Sequence, residues 1–217
     1  MGWLRSLDVT QQVGLLFVVL FGTLGLASGA LLLWNLRESL RPRASAVRER
    51  LTRELPSLWL GAVLFWLAWL SGPVGATLLF GVLSFLTLRE FVTLMHTRRS
   101  DHRSLIAVFF VILPLQFVLA GGRLFNLFSV LIPVYAFIAL PVISALAGDP
   151  ARFLERNAKL QWGLMVCVFG LSHAPALLLL DFPGHAGRGA FLVFFLVMVS
   201  ASAQLAQEAA KIGRAHV

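Results

Sequence analysis

The sequence predicts an all-α, polytopic integral membrane protein with about seven transmembrane helices, and three observations carry that prediction. Of 217 residues, 59% are hydrophobic and only 13% charged, which is more apolar surface than a water-soluble core of this size can hide. Several uncharged runs reach or approach the ~20 residues needed to cross a hydrocarbon layer ~30 Å thick. The arginines fall in short segments between those runs, and mainly on alternate segments, as a multi-pass topology requires.

The formal charge of +8 therefore reads as a topology signal, and nucleic acid is not expected as a partner. The single cysteine, Cys167, lies in an apolar run. It offers neither a disulfide framework nor a thiol pair with metal-ligand spacing, and reads as a small buried hydrophobe. Met1-Gly2 with Ser6 fits a loose myristoylation pattern, from which a chain with many spans gains nothing. Ala27-Ser28-Gly29-Ala30 resembles a signal-peptidase site, but the preceding apolar run, Val13 to Trp34, is 22 residues long and reads as a retained span.

Residues 1–210 are expected to form a single membrane domain, with spans near 13–34, 57–70, 74–95, 105–120, 124–146, 160–180 and 189–206. After the first span, Arg37 to Glu54 carries six arginines and three glutamates and is too polar for hydrocarbon. Leu55 to Leu88 is uncharged for 34 residues, about 51 Å as one helix, which no bilayer accommodates unbroken. Ser71-Gly72-Pro73 supplies the break and makes a hairpin of two short spans, whose Trp59, Trp66 and Trp69 are expected at the interface. The third span leads into the polar stretch from His96 to Arg103, and a Gly121-Gly122-Arg123 turn separates the fourth span from the fifth. Pro133 and Pro141 should kink span five by removing backbone donors. Gly148-Asp149-Pro150 ends it, and Ala151 to Lys159 is expected as a short amphipathic helix on the surface before span six. A loop with Asp181, Pro183, Gly184, His185 and Arg188 leads to span seven, which starts near Gly189.

Lys and Arg number six in residues 37–54, four in 89–103 and three in 147–159, against none in 71–73, one at Arg123 and one at Arg188. This bias of 13 to 2 places the three basic loops in the cytoplasm and the N-terminus outside.

The chain ends Lys-Ile-Gly-Arg-Ala-His-Val, residues 211–217. A widely used sequencing adapter, AGATCGGAAGAGCACACGTCTGA, translates with one base in front as those same residues followed by a stop. Natural sequence is therefore expected to end near Ala210, with the true protein continuing beyond it, and Lys211 and His216 are given no functional weight.

No glycine-rich phosphate loop, H-E-x-x-H or G-x-S-x-G string occurs. Candidate site residues are polar groups at membrane depth or its edge. Arg89 and Glu90, where span three meets the cytoplasm, could orient a lipid phosphate or serve as an interfacial stop. Arg98, Arg99 and Arg103 suit anionic headgroups, because guanidinium matches phosphate bidentately, at about 1 kcal/mol each near an anionic surface, or serve only as the positive-inside signal. His173 is an ionisable residue inside span six, beside Pro175. Gln116, Asn126 and Gln161 read as interhelical hydrogen-bonding residues. Asp149 and Glu155 share one loop but read as solvated surface, so no acidic cluster for a metal is expected in this chain.

Three strings, GVLSFLTLREFVTLMHTRRSDHR (81–103), FSVLIPVYAFIALPV (128–142) and FLERNAKLQWGLMVCVFGLSHAPALLLL (153–180), carry a family resemblance. Over about residues 55–206 the chain resembles the N-terminal two thirds of the phosphatidate cytidylyltransferases, or CDP-diacylglycerol synthases, of a divergent bacterial branch. The resemblance implies transfer of a cytidylyl group from CTP to phosphatidic acid with Mg²⁺ clamping the phosphates. It also implies a multi-pass location in the bacterial inner membrane among membrane lipids, with a homodimer left open. The family's hallmark, H-G-G and D-R-x-D after a serine and lysine segment, is expected downstream of Ala210, so the catalytic residues are expected outside this chain and the chain alone is expected to be inactive. The family's S-D-V-L-Q-Y aspartate aligns, through Gln207, with Gln204, and a neutral amide cannot replace a metal-binding carboxylate. The alternative from another class is a transporter or scaffold whose spans are kinked at Pro133, Pro141 and Pro175, although no pair of matching broken segments indicates inverted repeats.

Overall fold

A computed structural model describes residues 8–38, 46–181, 183, 187–199 and 203. Gln204, Gly184, His185, Ser45 and residues 211–217 lie outside the described residues. The regular structure among the described residues is helical, without strands. By contacts the chain divides into two compact units, Met1–Leu70 and Ser71–Val217.

The first unit is built from α1 (Val9–Glu38) and α2 (Ala46–Leu70). Phe17 packs on Phe65 and Trp69 with ring centroids 4.9 and 5.4 Å apart, and Phe21 on Trp59 at 5.8 Å. Residue numbers that rise along α1 meet numbers that fall along α2, so the two run antiparallel. The indole of Trp59 donates to Ser28 Oγ at 3.0 Å, so this ring spends its polar edge within the helix pair. α2 also begins earlier than the expected 57–70: its charged first turns, from Ala46, run without a break through Pro56 into the apolar part.

The second unit holds α3 (Gly72–Thr93), α4 (Arg99–Gly121), α5 (Phe125–Ala145), α6 (Phe153–Leu178) and α7 (Gly189–Val199). Gly72 opens α3 at φ 66°, a left-handed value that suits glycine, and Pro73 follows in the first turn, where its missing N–H costs nothing. α6 is the central helix, in contact with α3, α4 and α5. Ala76, Phe80, Ser84 and Leu88, spaced by four, form the buried face of α3. Within that face, Ser84 Oγ donates to the Cys167 carbonyl of α6 at 2.6 Å. At Gly163 a Cβ would stand 2.5 Å from the ring of Phe91, so α6 and α3 approach as closely as they do only because that side chain is absent.

Five helices are long and apolar enough to cross a membrane: Val9–Arg37 of α1, then α3, α4, α5 and α6. The chain is thus an all-helical membrane protein. The count among described residues is smaller than the expected seven because α2 is diluted by its charged turns and α7 is described only as far as Val199.

α4, α5 and α6 each contain a π-helical segment, at Val108–Ile112, Leu131–Ala136 and Met165–Gly170. Such segments and the prolines of α5 leave backbone carbonyls without their usual donors, which in hydrocarbon must be satisfied from elsewhere. Two glutamines do this. Gln161 Nε2 donates to the Phe137 carbonyl at 2.9 Å, four residues before Pro141, and Gln116 Nε2 donates to the Phe128 carbonyl at 3.2 Å, five residues before Pro133. Both glutamines therefore join helices, as their position in apolar runs implied.

Candidate functional site

The polar end of the second unit is assembled where α4 and α6 begin and α5 ends. α5 stops at Ala145, and Gly148, at φ 71°, turns the chain into Asp149-Pro150. The Asp149 carboxylate accepts the N–H of Ala151 at 3.0 Å, a turn in which the side chain substitutes for a backbone acceptor. Arg152 then adopts φ 51°, ψ 33°, left-handed geometry unusual for a residue with a side chain, and α6 starts at Phe153. No separate surface helix precedes α6: Ala151 to Lys159 is the final turn and first two helical turns of α6 itself. The reason is that Arg156, Asn157, Leu160 and Leu164 share one inward face, with Asn157 donating to the Phe153 carbonyl at 3.0 Å and to Ser144 Oγ at 3.3 Å.

Arg156 is the centre of this end, its side chain only 8% exposed. Its Nη1 donates to Asp149 Oδ2 and Ser100 Oγ, both at 2.8 Å, and its Nη2 donates to the Asp149 carbonyl at 2.9 Å. Its Nε stands 3.4 Å from Asp101 Oδ1. Asp101 in turn accepts the N–H of Arg98 at 2.9 Å, closing the first turn of α4. Arg98 Nη1 and Ser100 Oγ donate to Asp149 Oδ2 at 3.1 and 3.0 Å. The N–H of Ala151, the Ser100 hydroxyl and the Arg98 guanidinium, in that order, hold the Asp149 carboxyl well below the ordinary carboxylate range, with Arg156 adding to them. Asp149, expected as solvated surface, is instead the acceptor that ties three helices together.

A hollow of about 300 Å³ opens beside this network, lined by His96, Thr97, Arg98, Arg152, Glu155, Arg156 and Lys159. Lys159 pairs with Glu155 across one helical turn at 2.5 Å, both about half exposed. The Arg152 side chain makes no hydrogen bond or ion pair with a described residue. Deeper, Ser104 Oγ and Arg156 Nε, buried and without a protein hydrogen-bond partner, line a space of about 20 Å³, room for a single water.

The sequence candidates separate into distinct places. Arg98 joins the network, whereas Arg99 and Arg103 are exposed on α4 and make no ion pair among the described residues. Arg89 and Glu90 are exposed near the end of α3 and do not line the hollow. His173 lies 17 residues along α6 from Arg156, about 26 Å away at the standard rise. Its Nδ1 is 2.7 Å from the Phe169 carbonyl, and its ring meets Phe128 and Phe169 edge-on at 5.1 and 4.6 Å. It belongs to the apolar interior and not to the arginine end. Beyond it, Arg123 and Asp181 pair at 2.7 Å where α4 and α6 finish. With starts joined by Arg156 and ends joined by Arg123, α4 and α6 run parallel.

No group of three or more His, Cys, Asp and Glu among the described residues could hold a metal ion. The two buried or half-buried carboxylates, Asp101 and Asp149, both face guanidinium groups. This donor set does not fit Mg²⁺, which needs oxygen ligands free of competing cations.

A helical membrane bundle with a basic, ion-paired end is the class of protein these features define. The chain belongs to the cytidylyltransferase family, whose profile matches residues 51–206. It is similar to uncharacterized protein YnbB of Escherichia coli (strain K12), with 37% identity over 152 residues, 69% of this chain and 48% of that protein. The chain thus spans about half the length of the curated relative it matches. No solved structure matches it.

Proposed function

We propose that the protein is the membrane-embedded N-terminal part of a phosphatidate cytidylyltransferase, which transfers the cytidylyl group of CTP to phosphatidic acid and releases pyrophosphate. The observation that carries this reading is that a nucleotidyltransferase family profile falls on membrane-crossing helices. An enzyme whose body is hydrocarbon-soluble meets its acceptor in the bilayer, and the acceptor of a nucleotidyl group must there be a lipid that bears a nucleophilic phosphate. The Asp149–Arg156 network supports the same reading, since it ties together the polar starts of two helices long enough to cross a bilayer, where a headgroup would be met. Because Asp101 and Asp149 are occupied by arginines, the reading assigns the Mg²⁺-holding carboxylates and the transfer step to sequence downstream of Ala210.

The test is formation of radiolabelled CDP-diacylglycerol from CTP and phosphatidic acid. The 217-residue chain is compared with one in which residues 211–217 are replaced by the natural continuation. Product from the extended chain alone is the expected result. Product from the 217-residue chain overturns the downstream assignment, and no product from either overturns the cytidylyltransferase reading.

A further inference from the structure

We infer that the hollow beside Arg152 is a phosphate-binding site, in which Arg152 just before α6, Lys159 of α6 and Arg98 before α4 hold a terminal phosphate dianion. This deepens the function proposed above by naming where phosphate is held. Its test is binding and not turnover, so the two can fail separately.

The charges around the hollow do not cancel. Four cations, Arg98, Arg152, Arg156 and Lys159, meet three carboxylates, Asp101, Asp149 and Glu155; Glu155 pairs closely with Lys159 and feels Arg152 only at longer range, so Arg152 makes no close ion pair among the described residues. A guanidinium without a close counter-ion beside a space of about 300 Å³ is suited to bidentate contact with phosphate oxygens. The Glu155–Lys159 pair is exposed and worth little by itself, so an anion in the hollow can take Lys159 at small cost. The first turn of α6 supplies Arg152, Glu155 and Arg156 to the lining and brings the positive end of that helix to the same place.

The backbone gives an independent argument. Arg152 holds φ 51°, a conformation in which glycine would be unstrained. A strained arginine that is exposed and makes no close contact gains little for folding, so its side chain is the reason for its presence. Glu155 opposes an incoming anion, and this fixes the sign of one variant in advance.

The same chemistry can arrive from solution, as nucleotide or free phosphate, or from the bilayer, as a phosphomonoester headgroup. The full chain in phosphatidylcholine nanodiscs is titrated with inorganic phosphate and with CTP. Nanodiscs containing phosphatidic acid or phosphatidylglycerol are compared in parallel through retention of a fluorescent short-chain phosphatidic acid. Arg152→Gly should weaken binding about tenfold, the loss of one charge-assisted contact, while leaving thermal stability equal or higher. Lys159→Gln should weaken it comparably, and Glu155→Gln should tighten it. Saturation by CTP and phosphate with no preference for phosphatidic acid assigns the site to a soluble phosphate; the converse assigns it to the lipid. Binding by Arg152→Gly and Lys159→Gln equal to that of the parent, or weaker binding by Glu155→Gln, overturns the site.

Discussion

Asp149 and Arg156 grip each other twice: Nη1 of the arginine meets the carboxylate at 2.8 Å, and Nη2 meets the Asp149 backbone carbonyl at 2.9 Å. One guanidinium thereby fixes both a side chain and the turn that carries it. Removing Arg156 leaves Asp101 and Asp149 as two carboxylates without their shared cation. Asp149 stays partly exposed and keeps Arg98, Ser100 and the Ala151 N–H, so Arg156→Ala should lower the unfolding midpoint chiefly through loss of the bonds that join α6 to α4. Arg156→Lys, which supplies one nitrogen in place of the fork, should fall between that variant and the parent. Thermal unfolding in detergent, followed by tryptophan fluorescence, measures both; equal midpoints for Arg156→Ala and the parent would show the network to be ornamental.

The helices of this protein were readable from apolar runs because lipid imposes length and composition together, and α5 matches its expected span to within a residue at either end. Arg156 and Asp149 were not readable as partners of Ser100 and Asp101, which lie 49 to 56 residues away in the chain. A signal did exist for one of them: Arg156 stands four and eight residues before Leu160 and Leu164, on the stripe that faces the bundle. A charge in register with a buried stripe must find a counter-charge. The three arginines 98, 99 and 103 looked equivalent because sequence proximity does not specify direction, and only Arg98 reaches Asp149. The strain at Arg152 lies in a backbone angle that no residue spacing encodes.

Asp149 also sets an acid limit. Its carboxyl is depressed in the folded protein, so the folded state binds fewer protons than the unfolded chain as pH falls through the ordinary carboxylate value of 3.8. Its contribution to stability is therefore complete above that value and is lost progressively below it. Thermal midpoints should be flat with respect to this residue from pH 5 to 7 and fall below about pH 4. Asp149→Asn should be less stable than the parent at pH 7 and should lose less between pH 5 and 3. An Asn variant whose acid decline parallels the parent's would show that another group carries it.

Gln161 and Pro141 should be coupled. The glutamine amide donates to the Phe137 carbonyl, whose regular helical donor would be the N–H that Pro141 lacks. Gln161→Leu should cost about 0.5–1.5 kcal/mol, the range for a hydrogen bond within a membrane bundle. Pro141→Ala restores the backbone donor, so the double variant should recover most of that loss. Unfolding of the four proteins of this cycle in mixed micelles supplies the coupling energy, and simple additivity would mean that the amide contributes only packing.

The two ion clusters of the second unit also make the topology measurable. Arg98, Asp149 and Arg156 mark where α4 and α6 start, and Arg123 with Asp181 marks where they end. Along the 23 residues of α4 these clusters are about 33 Å apart at the standard rise, close to the ~30 Å of a hydrocarbon core. Each cluster is then expected at one interface, and the bias of 13 basic residues to 2 between alternate segments predicts that the Asp149 end faces the cytoplasm. Reporter fusions at Ser45, Ser100 and Ala151 should read cytoplasmic, and fusions at Gly72 and Gly184 should read external. Fusions at Ser100 and Ala151 test the orientation of α4 and α6, and Gly184 tests the loop that follows α6. Because α4 and α6 run parallel, a cytoplasmic signal at Gly184 with a cytoplasmic signal at Ala151 is incompatible with α6 crossing the bilayer. External signals at both Ser100 and Ala151 would instead invert the protein and move the basic hollow away from any cytoplasmic nucleotide.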